Sequence, residues 1–265
     1  MRKLHQIKAI TLFATGLPLA GHAYAQISYL SDNRSVSTYG YRVYQDDAEP
    51  HALHTNDVYS HFQTPASPYS DFQGNVSDNT YSSIHSSASQ DSGLMPNQIQ
   101  FSSSIYVLSS LFWSLQPSGP LSPYAQHVEA SSSFAVTFSV SSPLEYTLST
   151  DWSYSQDFTE YSVPNSGGCT LVSASQGLIW QSLPLQVTWP INNGSRLDSF
   201  SGVLEPGNTY TLSVSMTTYS YYTDTPPTTG NYGADVVLAT VPEPNSLMML
   251  ALGLPMLACL RRRQA

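Results

Sequence analysis

Between Ser133 and Ser141 every second residue is apolar: Phe134, Val136, Phe138 and Val140 alternate with Ala135, Thr137 and Ser139. The same period returns in Thr209–Thr217, where Tyr210, Leu212, Val214 and Met216 alternate with Thr211, Ser213 and Ser215. Leu144, Tyr146, Leu148 and Trp152 fit it as well. A period of two belongs to strands buried on one face and wet on the other. No stretch of the body carries a comparable helical period. Turn chemistry breaks the strands, as in Glu205-Pro206-Gly207-Asn208 and Asn192-Asn193-Gly194-Ser195, where Gly and Asn accept positive φ. Short alternating strands between such turns predict an all-β chain, an antiparallel β-sandwich or jelly-roll-like body. Its centre is expected over 98–240, with Phe134, Val136, Phe138, Tyr210, Leu212 and Val214 inside. Residues 26–97 are more polar and read as a loop-rich extension packed on that body.

Few charges cover this body. Asp, Glu, Lys and Arg make up 10% of the chain, against roughly 25% in an ordinary soluble domain. Over Gln26–Val241 three arginines (Arg34, Arg42, Arg196) face 17 carboxylates, a net of −14. Nucleic-acid affinity rests on cations that displace counterions from phosphates, so nucleic acid is excluded as a partner. The remaining bases gather at the two ends of the chain.

At the start, Met1-Arg2-Lys3 precedes an apolar stretch, Ile7–Ala20, which is followed by Ala23-Tyr24-Ala25. A basic start, a short apolar run and a small-x-small ending make a secretory signal peptide over 1–25. Signal peptidase would read Ala23 and Ala25 and cut before Gln26. At the other end, Val241-Pro242-Glu243-Pro244 precedes an uncharged run, 246–260, and the basic end Arg261, Arg262 and Arg263. The run is shorter than the ~20 residues of a lasting transmembrane helix. The arginines behind it favour the cytoplasmic side. Together these residues pin the exported body outside the membrane through a short C-terminal transmembrane helix.

The tail 241–265 resembles a PEP-CTERM sorting domain, with Asn245 and Pro255 as departures from its commoner residues. The resemblance implies an exosortase in the inner membrane of a Gram-negative bacterium that also makes exopolysaccharide. It implies an anchored precursor, then a protein of the cell surface or extracellular matrix, including biofilm. Pro242, Glu243, Pro244, Arg261, Arg262 and Arg263 become the residues that processing requires.

No catalytic or cofactor constellation stands out in the body. His51, His54 and His61, near Asp46, Asp47, Glu49 and Asp57, form the one cluster with metal-like composition, but no helical period places His51 and His54 on one turn. A glycosidase needs two facing carboxylates, and Glu129, Glu145, Asp151 and Asp157 are the strand-borne candidates. Cys169 reads as a small core residue; Cys259 lies in the apolar run. Tyr154, Trp180, Trp189, Tyr219 and Tyr221 would stack on sugars if exposed and fill the core if not. The chain therefore reads as a non-enzymatic surface or matrix protein associated with exopolysaccharide. The alternative is a carbohydrate-binding sandwich, and a secreted hydrolase is a third. A contiguous aromatic patch on one sheet face separates the first two.

The two prolines hold Pro242-Glu243-Pro244 extended, without backbone donors, and keep it out of the helical span. Replacing the three residues by alanine leaves the span and the arginines intact. Export and pinning should survive, and removal of the tail should fail. An immunoblot of membrane and released fractions, with an epitope after Gln26, should then show full-length protein retained in the membrane.

Overall fold

The computed structural model describes residues 26–46, 53–81, 84–109, 121–157, 166–182, 193–222 and 228–241. Its elements are β1 (Ile27–Asp46), β2 (Leu53–Gln63), β3 (Phe72–Tyr81), β4 (Ile84–Met95), β5 (Gln98–Ser109) and β6 (Leu121–Val140). They continue with β7 (Leu144–Asp157), β8 (Ser166–Ser173), β9 (Gly177–Gln181), β10 (Asn193–Leu204), β11 (Thr209–Tyr222) and β12 (Thr228–Thr240). Two six-stranded antiparallel sheets form a sandwich: sheet A in the order β2-β1-β6-β11-β8-β9 and sheet B in the order β10-β7-β12-β5-β4-β3. The all-β, antiparallel expectation holds. Among the described residues no helix is long and apolar enough to cross a membrane. The expected signal peptide with Ala23 and Ala25, and the tail with Pro242, Glu243, Pro244, Arg261, Arg262 and Arg263, lie outside the described residues.

Alternation decides which side of each strand is dry. Phe134, Val136, Phe138, Tyr210, Leu212 and Val214 are all buried, as their spacing predicts. They meet the inner face of sheet B, where Phe101 packs on Phe134 with ring centroids 5.4 Å apart. Leu144, Tyr146, Leu148 and Trp152 are buried on β7. Burying a Leu or Phe side chain contributes about 1.5–3 kcal/mol, so each of these positions adds measurably to the core. Trp152 and Tyr232 lie 6.0 Å apart beneath Gly167. A Cβ on that glycine would stand 2.5 Å from the Tyr232 ring, so β8 can approach sheet B only with glycine there.

Residues 26–97 differ from the loop-rich expectation. They supply β1–β4, and β1 lies between β2 and β6 within sheet A. Their alternation is hard to see because small and polar side chains fill the inner positions. Among the described side chains of β4, Ser86, Ala88, Gln90 and Ser92 are the buried ones. The Gln90 amide bridges the hydroxyls of Ser92 and Ser132, 3.1 Å from each, and so ties β4 to β6 across the sandwich.

One buried ion pair belongs to the same region. Arg34, 1% exposed, donates from Nε to Asp32 Oδ2 at 3.0 Å and from a terminal nitrogen to the same oxygen at 2.5 Å. Its other terminal nitrogen lies 3.4 Å from the Ser92 carbonyl, and its guanidinium sits 5.9 Å from the centre of the Phe72 ring. Asp32 Oδ2 also accepts the Tyr69 N–H at 3.1 Å, which fixes the loop between β2 and β3 where Tyr69 holds φ of 61°. Removing one partner of such a pair strands a buried charge. Asp32→Ala should cost about 3–5 kcal/mol in urea unfolding, and the double change Asp32→Ala with Arg34→Met should cost clearly less.

Candidate functional site

The outer face of sheet A carries an aromatic platform. β1, β6 and β11 are neighbours, and their outward residues fall into rows. Tyr39, Glu129 and Tyr219 stand opposite one another, and Tyr41 stands opposite His127 in the next row. His127 is the centre: its ring lies 5.2 Å from Tyr41, nearly parallel to it, 5.7 Å from Tyr219 and 6.2 Å from Tyr39. Tyr39 and Tyr41 are 6.1 Å apart. Tyr39 is 39% exposed, and Val58 and Phe62 of the neighbouring β2 are 60% and 66% exposed. Glu129 Oε2 sits 3.7 Å from His127 Nε2. Hydroxyl rungs continue the face: Ser37 to Ser131 and Ser35 to Ser133, each 2.7 Å.

Such a surface can stack flat rings against the apolar face of a ligand and offer hydroxyls and a carboxylate to its polar rim. Tyr side chains provide rigid, amphipathic contact area at little entropic cost. The rings touch, so the platform is pre-formed rather than assembled on binding.

The sequence anticipated part of this site. Tyr219 and Glu129 belong to it, whereas Tyr39, Tyr41 and His127 are residues of the site that sequence reasoning misses. The available signal was a spacing: Tyr39-x-Tyr41, His127-x-Glu129 and Tyr219-x-Tyr221 each put two side chains on one face of a strand. The backbone of Tyr221 is opposite His127, but its side chain lies outside the described residues. Trp180 is half-buried and stacks on Phe200 at 6.4 Å, closing the edge between β9 and β10. Tyr154 is half-buried against the core. Trp189 lies outside the described residues.

The remaining candidates are dispersed. Glu129 is on sheet A, while Glu145 and Asp151 are exposed on the outer face of sheet B. Glu145 and Asp151 lie six residues apart on one strand, about 20 Å at ~3.3 Å per residue, beyond the ~5–9.5 Å of a glycosidase pair. The side chain of Asp157 lies outside the described residues. Sheet B does pair Asp151 with Asp235 across β7 and β12, a juxtaposition no linear spacing reveals. It borders an open trough of about 680 Å³ lined by Gln73, Asn75, Asp91, Ser102, Ser153 and Asp235. Both carboxylates of the pair are exposed.

His51 and the side chain of His54 lie outside the described residues. His61 is exposed on β2, with Nε2 3.6 Å from Asp78 Oδ2. Among the described residues no three His, Cys, Asp or Glu side chains gather as a metal site. Cys169 is fully buried, and burial pushes its thiol up to about 12, far from the thiolate a nucleophile needs.

Together these observations define a β-sandwich with a contiguous aromatic platform on one sheet. Residues 240–263 match the PEP-CTERM protein-sorting motif; the chain is a protein carrying a PEP-CTERM sorting domain. That motif implies an exported protein recognised by an exosortase. No curated protein matches the chain. Among solved structures, a carbohydrate-binding module of the β-sandwich superfamily is 7% identical, with 79% of this chain and 96% of that one covered and a TM-score of 0.19. The VP2 subviral particle of infectious bursal disease virus is 10% identical over 91% of this chain and 74% of that one, TM-score 0.19. The Gx strain of that virus is 10% identical over 85% and 68%, TM-score 0.20. At such TM-scores the chain's own residues carry the functional reading.

Burial outweighs the attraction of Glu129 and pushes the His127 pKa below the ordinary imidazole value of 6.5. Below about pH 6.5 the unfolded chain therefore holds more of a proton at this site than the folded one. The stability this contributes is present above that pH and lost as the pH falls through the depressed value. Between pH 7.5 and 5 the urea midpoint of the wild type should fall more steeply than that of His127→Phe.

Proposed function

We propose that the exported body is a non-enzymatic surface or matrix protein that holds exopolysaccharide on the Tyr39–Tyr41–His127–Tyr219 platform. One observation carries the reading: three aromatic side chains and a histidine from three strands form a contiguous, partly exposed surface beside hydroxyl rungs. Sugar rings present apolar C–H faces and polar edges, which match stacked tyrosines flanked by Ser37, Ser131 and Glu129. The body's net of −14 and the Glu129 carboxylate disfavour a polyanion, so the polymer is neutral or amine-bearing. An extended polymer suits an open sheet face, where several sugars lie along the strands. Exosortase sorting delivers the protein to the compartment where such a polymer accumulates.

Affinity electrophoresis of the processed protein in gels containing neutral, amine-bearing or uronic-acid polysaccharides tests this. Retardation is expected in the first two and absent in the third. Tyr39→Ala with Tyr219→Ala should raise the dissociation constant at least about tenfold, near 1.4 kcal/mol, and Leu197→Ala on sheet B should leave it unchanged. Incubation with the bound polymer should release no reducing ends. Release that disappears in Asp235→Asn would make the protein a hydrolase, and equal retardation of the tyrosine variants would remove the platform reading.

A further inference from the structure

Both ends of the described chain leave the sandwich at one pole, clasped by the turn between β4 and β5. Ile27 N–H donates to the Pro96 carbonyl at 3.0 Å, and Thr240 N–H donates to the carbonyl of the next residue, Asn97, at 3.0 Å. The last strand ends at Thr240, and Val241 N–H still donates to Glu145 O at 2.9 Å, so hydrogen-bonded backbone reaches the residue before Pro242. No slack segment separates the folded body from the sorting motif.

The same pole gathers exposed apolar side chains. Leu30, Tyr69, Met95, Leu178, Val203 and Val241 are 40–58% exposed. The strand registers place them together. Ile27 faces Val140 and Thr209 faces Ser139, while Tyr210 faces Ser173, next to Leu178 on β9. On sheet B, Met95 faces Gln98 and Val203 faces Glu145. Tyr69 stacks on Tyr29, whose hydroxyl donates to the Met95 carbonyl at 2.5 Å. Among the described residues, the other exposed large apolar side chains are Tyr39, Val58 and Phe62 on the platform face and Leu197 on sheet B.

We infer that this pole is a membrane-contact surface, on which the precursor stands against the lipid–water interface while the platform faces away. The occupant follows from the chain itself. The sorting motif begins at this pole and leads into the uncharged run 246–260. A tail inserted in a bilayer holds this pole within a few residues of the headgroups, where exposed apolar side chains partition. Glu145 and Glu205 are exposed there, and among the described residues no Lys or Arg is, which suits zwitterionic rather than anionic lipid. Tyr39 is displaced from Ile27 by about 40 Å of strand at ~3.3 Å per residue. The Val241–Pro242 junction is thereby presented at the membrane surface, within reach of an enzyme embedded there. The inference rests on the sorting-tail reading and is independent of what the platform binds.

The full chain, with Cys259→Ser, is reconstituted through its tail into phosphatidylcholine vesicles containing a lipid with a headgroup-level nitroxide quencher. A fluorescent thiol label is placed in turn at Met95→Cys, Leu178→Cys, Phe62→Cys and Leu197→Cys; buried Cys169 does not take it. Labels at 95 and 178 should be quenched about threefold more than those at 62 and 197. Equal quenching at all four, or stronger quenching at 62, overturns the inference. Adding Leu30→Asp and Val203→Asp should cut quenching at the 178 label about twofold, while the tail stays protected from added protease. Unchanged quenching there would mean that the tether alone sets the body's position, and would also overturn it. Polysaccharide retardation, measured separately, reports on the platform whichever result is obtained.

Discussion

β6 is hydrogen-bonded along both of its edges, to β1 on one side and β11 on the other, and its phase sets which side of sheet A is dry. Its even-numbered residues from Val128 to Val140 point inward and are buried. His127, Glu129, Ser131 and Ser133 therefore point outward together. A slip of one residue would exchange these two sets. It would drive His127 and Glu129 inside and Phe134, Val136 and Phe138 out, at several kcal/mol for the phenylalanines alone. Hydrophobic burial on one face thus fixes the register that assembles the platform on the other.

With so few charges available, hydroxyls do much of the polar work on both sides of sheet A. Outside, Ser–Ser and Thr–Thr rungs run between neighbouring strands, as in Thr137 with Thr211 at 3.2 Å. Inside, Ser92, Ser132 and Gln90 form a bridged set, and Arg34 is held between Asp32 and Ser92. Each neutral contact is worth only about 0.5–1.5 kcal/mol net, whereas breaking the buried Arg34–Asp32 pair costs about 3–5 kcal/mol. The neutral inner residues serve register more than stability. A sheet end filled with interchangeable small residues would slide easily, and Arg34, paired with Asp32 on its own strand, reaches Ser92 on β4 in one alignment.

How much could be read in advance follows the same division. The strands β6, β7 and β11 were legible because their inner residues are large and apolar, so period two is written in the text. β3 and β4 were not, because Gly74, Ser86, Gln90 and Ser92 occupy inner positions and leave no hydrophobic period. The platform was half-legible. Tyr219 and Glu129 stood out as residue types, but their meeting with Tyr39 and Tyr41 depends on two strand pairings, each between segments about ninety residues apart. The strand-borne carboxylates scatter for the same reason in reverse. Glu145 and Asp151 are close in sequence, yet an extended strand spreads them about 20 Å apart, whereas Asp151 and Asp235, distant in sequence, face each other.

Long-range pairing also links the two ends of the chain. In an antiparallel sandwich a strand's start and finish lie at opposite poles, so where two termini emerge depends on strand directions within each sheet. β1 leaves the clasped pole and β12 arrives at it, and the turn after β4 bonds to both. The platform lies toward the ends of β1 and β11 and the start of β6, in the region that strand direction carries away from that pole. A body held at the membrane through this pole keeps its ring cluster clear of the lipid from the moment of export. Under the proposed reading, one set of strand directions serves two surfaces with opposite needs, a wet aromatic face turned to polymer and an apolar rim turned to the membrane.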